Sequence, residues 1–394
     1  MYYTDDSILP ENMPPLIITA APFGPQWLPG DADIPVTWDE QVQAAVDCYN
    51  AGATVLHVHV RNPATGKLSV DFDQYNYFIG RLRQAVPKMI LQVGGSISFS
   101  PKTDHDKAKW LNYDTRHMLT ELNPKPDFIT VAVGTTQWDV ISMLSAEDVK
   151  GTHLEDPKVQ AAWAGMVVDA TPAFYLEHLK RLRAHAIQPY FVPGHIHQLE
   201  IIERLIRAGA YMGPLNLALA GYGGGTLGRN PYDWMDFLRR VPQGAVATFW
   251  SSMRGLISVS AMAIVLGQHV RVGNEDNIWG ASRRRLTSVQ QIEDAVRICR
   301  QFGRKVATSE DARQIMKVGV WYNSIEQTLR ELGLPPDRKD GEKGFLVFRT
   351  DGQKTLPMLA GDSHPIAYCM EPADSAVAAQ EHREEELVGG PRKT

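Results

Sequence analysis

From residue 16 to residue 303 the chain alternates short apolar runs with stretches whose apolar residues recur at helical spacing. The runs LIITAA (16–21), TVLHVHVR (54–61), KMILQVGGS (88–96), FITVAV (128–133), PYFVPG (189–194), LNLALAG (215–221), GAVATFWS (244–251) and HVRVG (269–273) read as buried strands. Helical spacing predicts helices over 37–49, 71–86, near 114–122 and over 172–186, 196–209, 231–240, 256–267 and 288–302. The first opens on Thr37 as N-cap, with Glu40 three residues on to close a capping box. Strict strand–helix alternation implies a parallel sheet, and eight repeats favour an α/β fold closed into a (β/α)8 TIM barrel over an open doubly wound sheet.

Polar residues interrupt these runs at their C-terminal ends, where such barrels carry their chemistry. Strand side chains alternate faces, so His57, His59 and Arg61 point one way while Val58 and Val60 point the other. Two imidazoles two apart on one face of a buried strand are poor packing and a good two-point metal clamp; a pair of hydrogen-bonded core histidines is the competing reading. In GQHVRVGNEDN (267–277), His269 and Arg271 share a strand face, Gly273 breaks the strand, and Glu275 and Asp276 follow as adjacent carboxylates. Two histidines and one carboxylate are a common ligand set for a catalytic zinc with an open coordination position. Ser96 ends the third strand, Thr135 follows the fourth, and His195 and His197 follow the fifth, so polar groups far apart in sequence converge on one mouth.

Two connections exceed the usual length of βα loops, 97–113 and 134–170. The second holds Trp138 and Trp163 and a short helix predicted within 157–167, and reads either as a lid or specificity element or as a subunit contact. A further helix at 309–318 completes one catalytic domain over 14–318. Residues 319–394 form a C-terminal extension. In it VWYNSIEQTLRELG is helical with Gly333 as stop, GFLVFRT (344–350) is a strand that KTLPML could pair, and the last part frays.

Composition narrows the function. A net charge of −5 gives no reason to expect a nucleic-acid or membrane-surface partner. No apolar run approaches the roughly 18 residues of a transmembrane helix, and the N-terminus lacks the basic and apolar regions of a signal peptide. Cys48, Cys299 and Cys369 are few, widely spaced and free of CxxC, the profile of reduced thiols in a cytoplasmic protein.

TAAPFG (19–24), AGATVLHVHVRNPATG (51–66), QVGGS (92–96), GQHVRVGNEDN (267–277) and FGRKVATSEDAR (302–313) together resemble the β-keto acid cleavage enzymes, from about residue 14 to about 315. The pairing of HxHxR with RxGxEDN is the specific part. The resemblance implies the same barrel fold. It also implies a reaction in which a β-keto acid condenses with acetyl-CoA to give acetoacetate and a new acyl-CoA. It places the metal, zinc or a similar divalent ion, on His57, His59 and Glu275, with Arg271 and Asp276 as the catalytic pair. Ser96 matches a serine that binds substrate and assists acyl transfer, and Gly95 and Thr135 match substrate contacts. Gln137 stands where the family's GTxN pattern has asparagine. Gln26 stands where members resembling the aminohexanoate enzyme carry an acidic residue facing a cationic amine. With no carboxylate there and Trp27 beside it, a neutral or aromatic keto acid is expected. By resemblance the protein is a homo-oligomer, a tetramer.

The alternative is a metal-dependent hydrolase on the same fold, with HxH, His195 or His197, and Asp276 around one or two ions. Such hydrolases usually place HxH on the first strand, whereas here a full strand and helix precede it. A silent binding barrel would have no need of the charged groups at the mouth.

Overall fold

Eight parallel strands, β1 (Ile18–Ala20), β2 (Val55–Val58), β3 (Ile90–Val93), β4 (Phe128–Ala132), β5 (Gln188–Val192), β6 (Asn216–Gly221), β7 (Val246–Ser251) and β8 (His269–Val272), pair in chain order, and β1 closes on β8. This computed structural model describes residues 1, 3–24, 34–94, 110–139, 141–142, 144–150, 153–221, 226–253 and 255–337. The expected (β/α)8 barrel is present, each strand lying inside the run that foretold it except β5, which begins one residue earlier, at Gln188. Helices follow as α1 (Trp38–Ala51), α2 (Phe72–Ala85), α3 (Tyr113–Met118), α4 (Pro172–Ala184), α5 (Ile196–Arg207), α6 (Pro231–Arg240), α7 (Gly255–Val265) and α8 (Ser288–Phe302).

Local chemistry sets these boundaries. At α1 the Thr37 hydroxyl accepts from Glu40 N at 3.2 Å and the Glu40 carboxylate accepts from Thr37 N at 2.9 Å, so two otherwise unpaired helix-start donors are satisfied. Gly52 ends the helix at φ +119°, a conformation that favours glycine.

Alternation along the strands builds two cores. Leu56, Val58, Leu91, Val270 and Val272 point outward and pack under the helices. Ile17, Val55, Ile90, Phe128, Tyr190, Ala218 and Trp250 point inward and fill the barrel with Ala307, Ala312 and Met316. Those last three flank or belong to α9 (Ser309–Ile315), which plugs the N-terminal end. Inward positions nearer the C-terminal end are therefore the ones left for chemistry.

The 134–170 connection contains the expected helix, now Pro157–Trp163, started by the Asp156 carboxylate on Lys158 N at 2.8 Å. It also contains a feature the sequence pattern did not reveal, an antiparallel ribbon of Thr136–Gln137 with Val167–Val168 that folds the connection back on itself. Past the plug, α10 (Ile325–Leu332) buries Leu329 and Leu332 in the outer core and stops at Gly333, φ +66°. The chain from 319 to 337 is thus packed on the barrel, while the expected strand at 344–350 lies outside the described residues. No described helix is long and apolar enough to cross a membrane.

Candidate active site

β2 carries Val55 inward, so His57 points inward one pleat further on. The ladder ends at Val58, and His59 follows just past it with its ring against the same point. The two Nε2 atoms are 3.1 Å apart. From beyond β8, which is separated from β2 by β1 alone, Glu275 Oε1 lies 3.3 Å from His57 Nε2 and 3.5 Å from His59 Nε2. All three side chains are buried, and among the described residues they are the one set of histidines, cysteines and carboxylates whose donor atoms lie within 4.8 Å of one another.

The turn after β8 aims the carboxylates. Gly273 has φ +144°, and a β-carbon there would overlap the Ala21 carbonyl, so only glycine fits. Glu275 N donates to that Ala21 carbonyl at 2.9 Å. A β-carbon at Gly24 would overlap Glu275, and one at Gly94 would overlap the His59 ring. The glycines of the TAAPFG and QVGGS motifs therefore make room for metal-ligand candidates. Arg61, inward like the histidines, does not face them. Its guanidinium ties loops together by donating to the carbonyls of Phe23 (3.1 Å), Gly66 (2.7 Å) and Gly24.

Arg271 organises the acidic pair. Its Nη2 donates to Glu275 Oε1 at 2.6 Å and to Asp276 Oδ1 at 2.9 Å, and its Nε donates to Asp276 Oδ2 at 2.8 Å. The guanidinium lies over the Trp250 ring, 3.9 Å from its centroid. Burial alone would raise the Glu275 pKa, but His57, Arg271 and His59 outweigh it and hold the group well below the usual carboxylate range. Asp276 goes the other way. Burial pushes it up to about 6 despite Arg271, with the Glu275 charge adding to the rise. His57 is pushed down to about 4 by burial and by the Arg271 charge, so at neutral pH its ring is uncharged. A neutral imidazole is the form that binds metal.

The donor set fits a divalent cation. His57 Nδ1 faces Gln92 Oε1 at 2.8 Å, which places the ring proton on Nδ1 and leaves the Nε2 lone pair toward His59 and Glu275. Glu275 Oε2 is buried with no hydrogen-bond partner, an unsatisfied acceptor on the carboxylate whose other oxygen faces both imidazoles. Two imidazoles and a carboxylate with room beside them are the ligand types of a catalytic zinc.

Of the other residues singled out from sequence, Gln26, Gly95 and Ser96 lie outside the described residues. Thr135 is exposed and its hydroxyl accepts from Ala170 N at 3.1 Å, so it caps the ribbon; the threonine that lines the cleft is its neighbour Thr136. His269 shares the inward face with Arg271 but sits at the opposite end of the barrel, where its Nδ1 accepts from Ile17 N at 3.0 Å. His195 and His197 stack on each other, 5.1 Å between ring centroids, and neither joins the metal-ligand group. Sequence reading missed Gln92, Trp250 and Gln198. Gln92 had left a signal, a polar residue at an inward position of an apolar strand; Trp250 resembled any core aromatic.

These groups form one end of a cleft enclosing ≈790 Å³ of empty space, part of it open to solvent. Its remaining walls include Trp110, Trp138, Val168, Val192 and Gln198.

A family model described as beta-keto acid cleavage enzyme matches residues 15–318. The chain belongs to that family, and is accordingly an enzyme that breaks carbon–carbon bonds. It is 24% identical over 312 residues to a 3-keto-5-aminohexanoate cleavage enzyme of Acetoanaerobium sticklandii, covering 78% of this chain and 99% of the relative. It is 24% identical to a 3-dehydrocarnitine:acetyl-CoA trimethylamine transferase of Rhizobium meliloti, with 72% and 90% covered. It is also 24% identical to a 3-oxoadipate:acetyl-CoA acetyltransferase of Cupriavidus necator, with 77% and 94% covered. Among solved structures, apo ObcA superposes with a TM-score of 0.55 at 13% identity, covering 73% of this chain and 66% of that one, which supports the barrel fold alone.

Proposed function

We propose that this enzyme exchanges acyl groups between a β-keto acid and acetyl-CoA, yielding acetoacetate and the CoA ester of the shortened substrate, with zinc or a similar divalent ion on His57, His59 and Glu275. The observation that carries the reading is the convergence of those three donors beside an Arg271–Asp276 pair at the mouth of a barrel of this family. The names of the relatives describe a 3-keto acid in each case and acetyl-CoA in two of the three.

A bound ion would supply Lewis-acid polarisation of the substrate's ketone and carboxylate oxygens, which acidifies the C2–H between them. Asp276, buried and oriented by Arg271, takes the C2 proton. The C2 carbanion attacks the acyl carbon of acetyl-CoA and CoA leaves as thiolate. That thiolate adds to the original ketone carbon, the C2–C3 bond breaks with its electron pair on C2, and Asp276 returns the proton. C1 and C2 leave in acetoacetate, and the acyl tail leaves on CoA. Ser96 is assigned to substrate binding and acyl transfer by its place in GGS, and Gly95, Gln26 and the Thr135 region to substrate contact. The protein is assigned to the cytoplasm on its few, widely spaced cysteines and to a homo-oligomer on the family pattern.

The test is a panel of β-keto acids with neutral, aromatic and amino-bearing tails, each incubated with acetyl-CoA and assayed by mass spectrometry for acetoacetate and new acyl-CoA. Both products should appear together and depend on acetyl-CoA. Breakdown of the keto acid at the same rate without CoA would favour the hydrolase instead, although the separation of His195 and His197 from the metal-ligand group speaks against it.

A further inference from the structure

Every ionisable side chain among the described residues lining the cleft sits at one end, in His57, His59, Arg271, Glu275 and Asp276. The rest of the wall is apolar or uncharged. Trp110 and Trp138 stand 5.8 Å apart between ring centroids, and Trp138 meets Trp250 edge-on at 6.5 Å. Within that uncharged region the amide of Gln198 is oriented by the fold. Gln198, in the first turn of α5, is only 2% exposed. Its Oε1 accepts from Gly194 N at 2.5 Å and from His195 N at 3.1 Å. Two backbone donors on the oxygen decide which way the amide faces, so the NH2 group turns away from the helix start. It lies against Gly134, where a β-carbon would come within 3.1 Å of Nε2, and that glycine's φ of +74° keeps the position free of a side chain. Across the helix start, a β-carbon on Gly194 would press on Thr226 at 2.9 Å. The bare backbone on both sides leaves room beside the Gln198 amide, which shares this wall with the hydroxyls of Thr130, Thr136 and Thr226, and no described residue accepts a hydrogen bond from its Nε2.

We infer that Gln198 is a specificity residue for the substrate's tail: its Nε2–H donates to an uncharged acceptor oxygen on the part of the β-keto acid remote from the metal end. The inference rests on the proposed reaction, which places the keto-acid head among the charged groups and leaves the tail to this wall. The preferred substrate then has a neutral, largely apolar tail bearing a carbonyl, hydroxyl or ether oxygen. A tail ammonium meets no counter-charge among the described wall residues, and a plain alkyl tail leaves a nearly buried donor unpaired. A site built around such a donor discriminates against ligands that lack the matching acceptor.

The experiment uses 3-oxo acids carrying a hydroxyl, methoxy or methyl-ketone oxygen at successive tail positions, each paired with its deoxy counterpart. Turnover with acetyl-CoA and, independently, calorimetric binding are measured on wild type and Gln198→Glu. The glutamate keeps an acceptor for Gly194 and His195 but presents no amide donor. At one tail position the oxygenated acid should exceed its partner by about tenfold in kcat/KM and in affinity, the scale of one net hydrogen bond. The variant should reduce that ratio to near one and leave the KM for acetyl-CoA unchanged. Gln198→Asn, which withdraws the amide without adding charge, serves if the glutamate variant does not fold. Equal handling of both members of every pair by wild type overturns the inference, as does a variant that weakens acetyl-CoA binding with all acids alike. A wild type that binds the pairs unequally yet forms no acyl-CoA overturns the proposed reaction and leaves the tail recognition standing.

Discussion

Gln92 Oε1 lies 2.8 Å from His57 Nδ1, and the two residues are directly in register on β3 and β2. That pairing makes Gln92 a hydrogen-bond acceptor that fixes the ring orientation and proton position of a proposed metal ligand. Partners of this kind typically carry 10–100-fold in metal affinity. Gln92→Leu should fold, since the side chain enters an apolar interior, but should lose metal to a competing chelator at roughly 10–100-fold lower chelator concentration. Unchanged competition would reduce Gln92 to packing.

His57→Ala and His59→Ala should each empty the metal site with little loss of fold, because the ligands sit at the barrel mouth above the packed interior of Val55, Ile90 and Phe128. Elemental analysis of wild type purified without chelator should give about one zinc or similar ion per subunit. Full metal occupancy in both variants would sink the assignment of His57, His59 and Glu275. Gly94→Ala is an independent probe, since its added methyl group would displace the His59 ring while leaving every ligand in the chain.

The fold was legible in the sequence because it depends on short-range periodicity, and the His57, His59 and Glu275 cluster through its motifs, HxHxR and RxGxEDN. Period-two alternation predicted one face for His57, His59 and Arg61 and one for His269 and Arg271, and strand–helix repetition predicted the barrel that brings residue 57 to residue 275. What stayed hidden depended on contacts between distant segments. Arg61 has the same parity as the histidines, yet the carbonyls of Phe23, Gly24 and Gly66 draw its guanidinium away. His269 has the same parity as Arg271, but depth along the strand put it at the other end of the barrel. Thr135 and Thr136 differ by one residue, and the register of the ribbon with Val167–Val168 decided which one faces the cleft. Periodicity gives the face of a strand; it does not give depth or the path of a loop.

Arg271 makes three hydrogen bonds to two buried carboxylates and packs on Trp250, so its planar, two-edged geometry is what the site uses. Arg271→Lys should lower kcat by about 10²-fold and lower the melting temperature, since a single ammonium leaves part of a buried acidic pair uncompensated. Asp276→Asn should keep the metal and the fold and lose turnover on a similar scale. Near-normal turnover by Asp276→Asn would move the base to another group.

Buried histidines away from the cleft contribute to the loss of stability in acid. Burial, with Arg304 nearby, pushes His269 down to about 3, and burial with the neighbouring His117 pushes His178 well below its ordinary value. The unfolded chain takes up these protons near pH 6.5 and the folded chain does not. Below that pH the unfolded state therefore binds more protons, and stability, complete above about 6.5, falls as pH drops toward 3. Each such histidine removes roughly 1.4 kcal/mol per pH unit across the interval between its two pKa values. His269→Gln should lower stability at pH 8, because the acceptor for Ile17 N is disturbed, yet lose less of what remains on going to pH 5. Urea midpoints of wild type and variant at pH 8, 7, 6 and 5 measure this, and parallel curves would show that His269 is protonated in the folded state as readily as in the unfolded one.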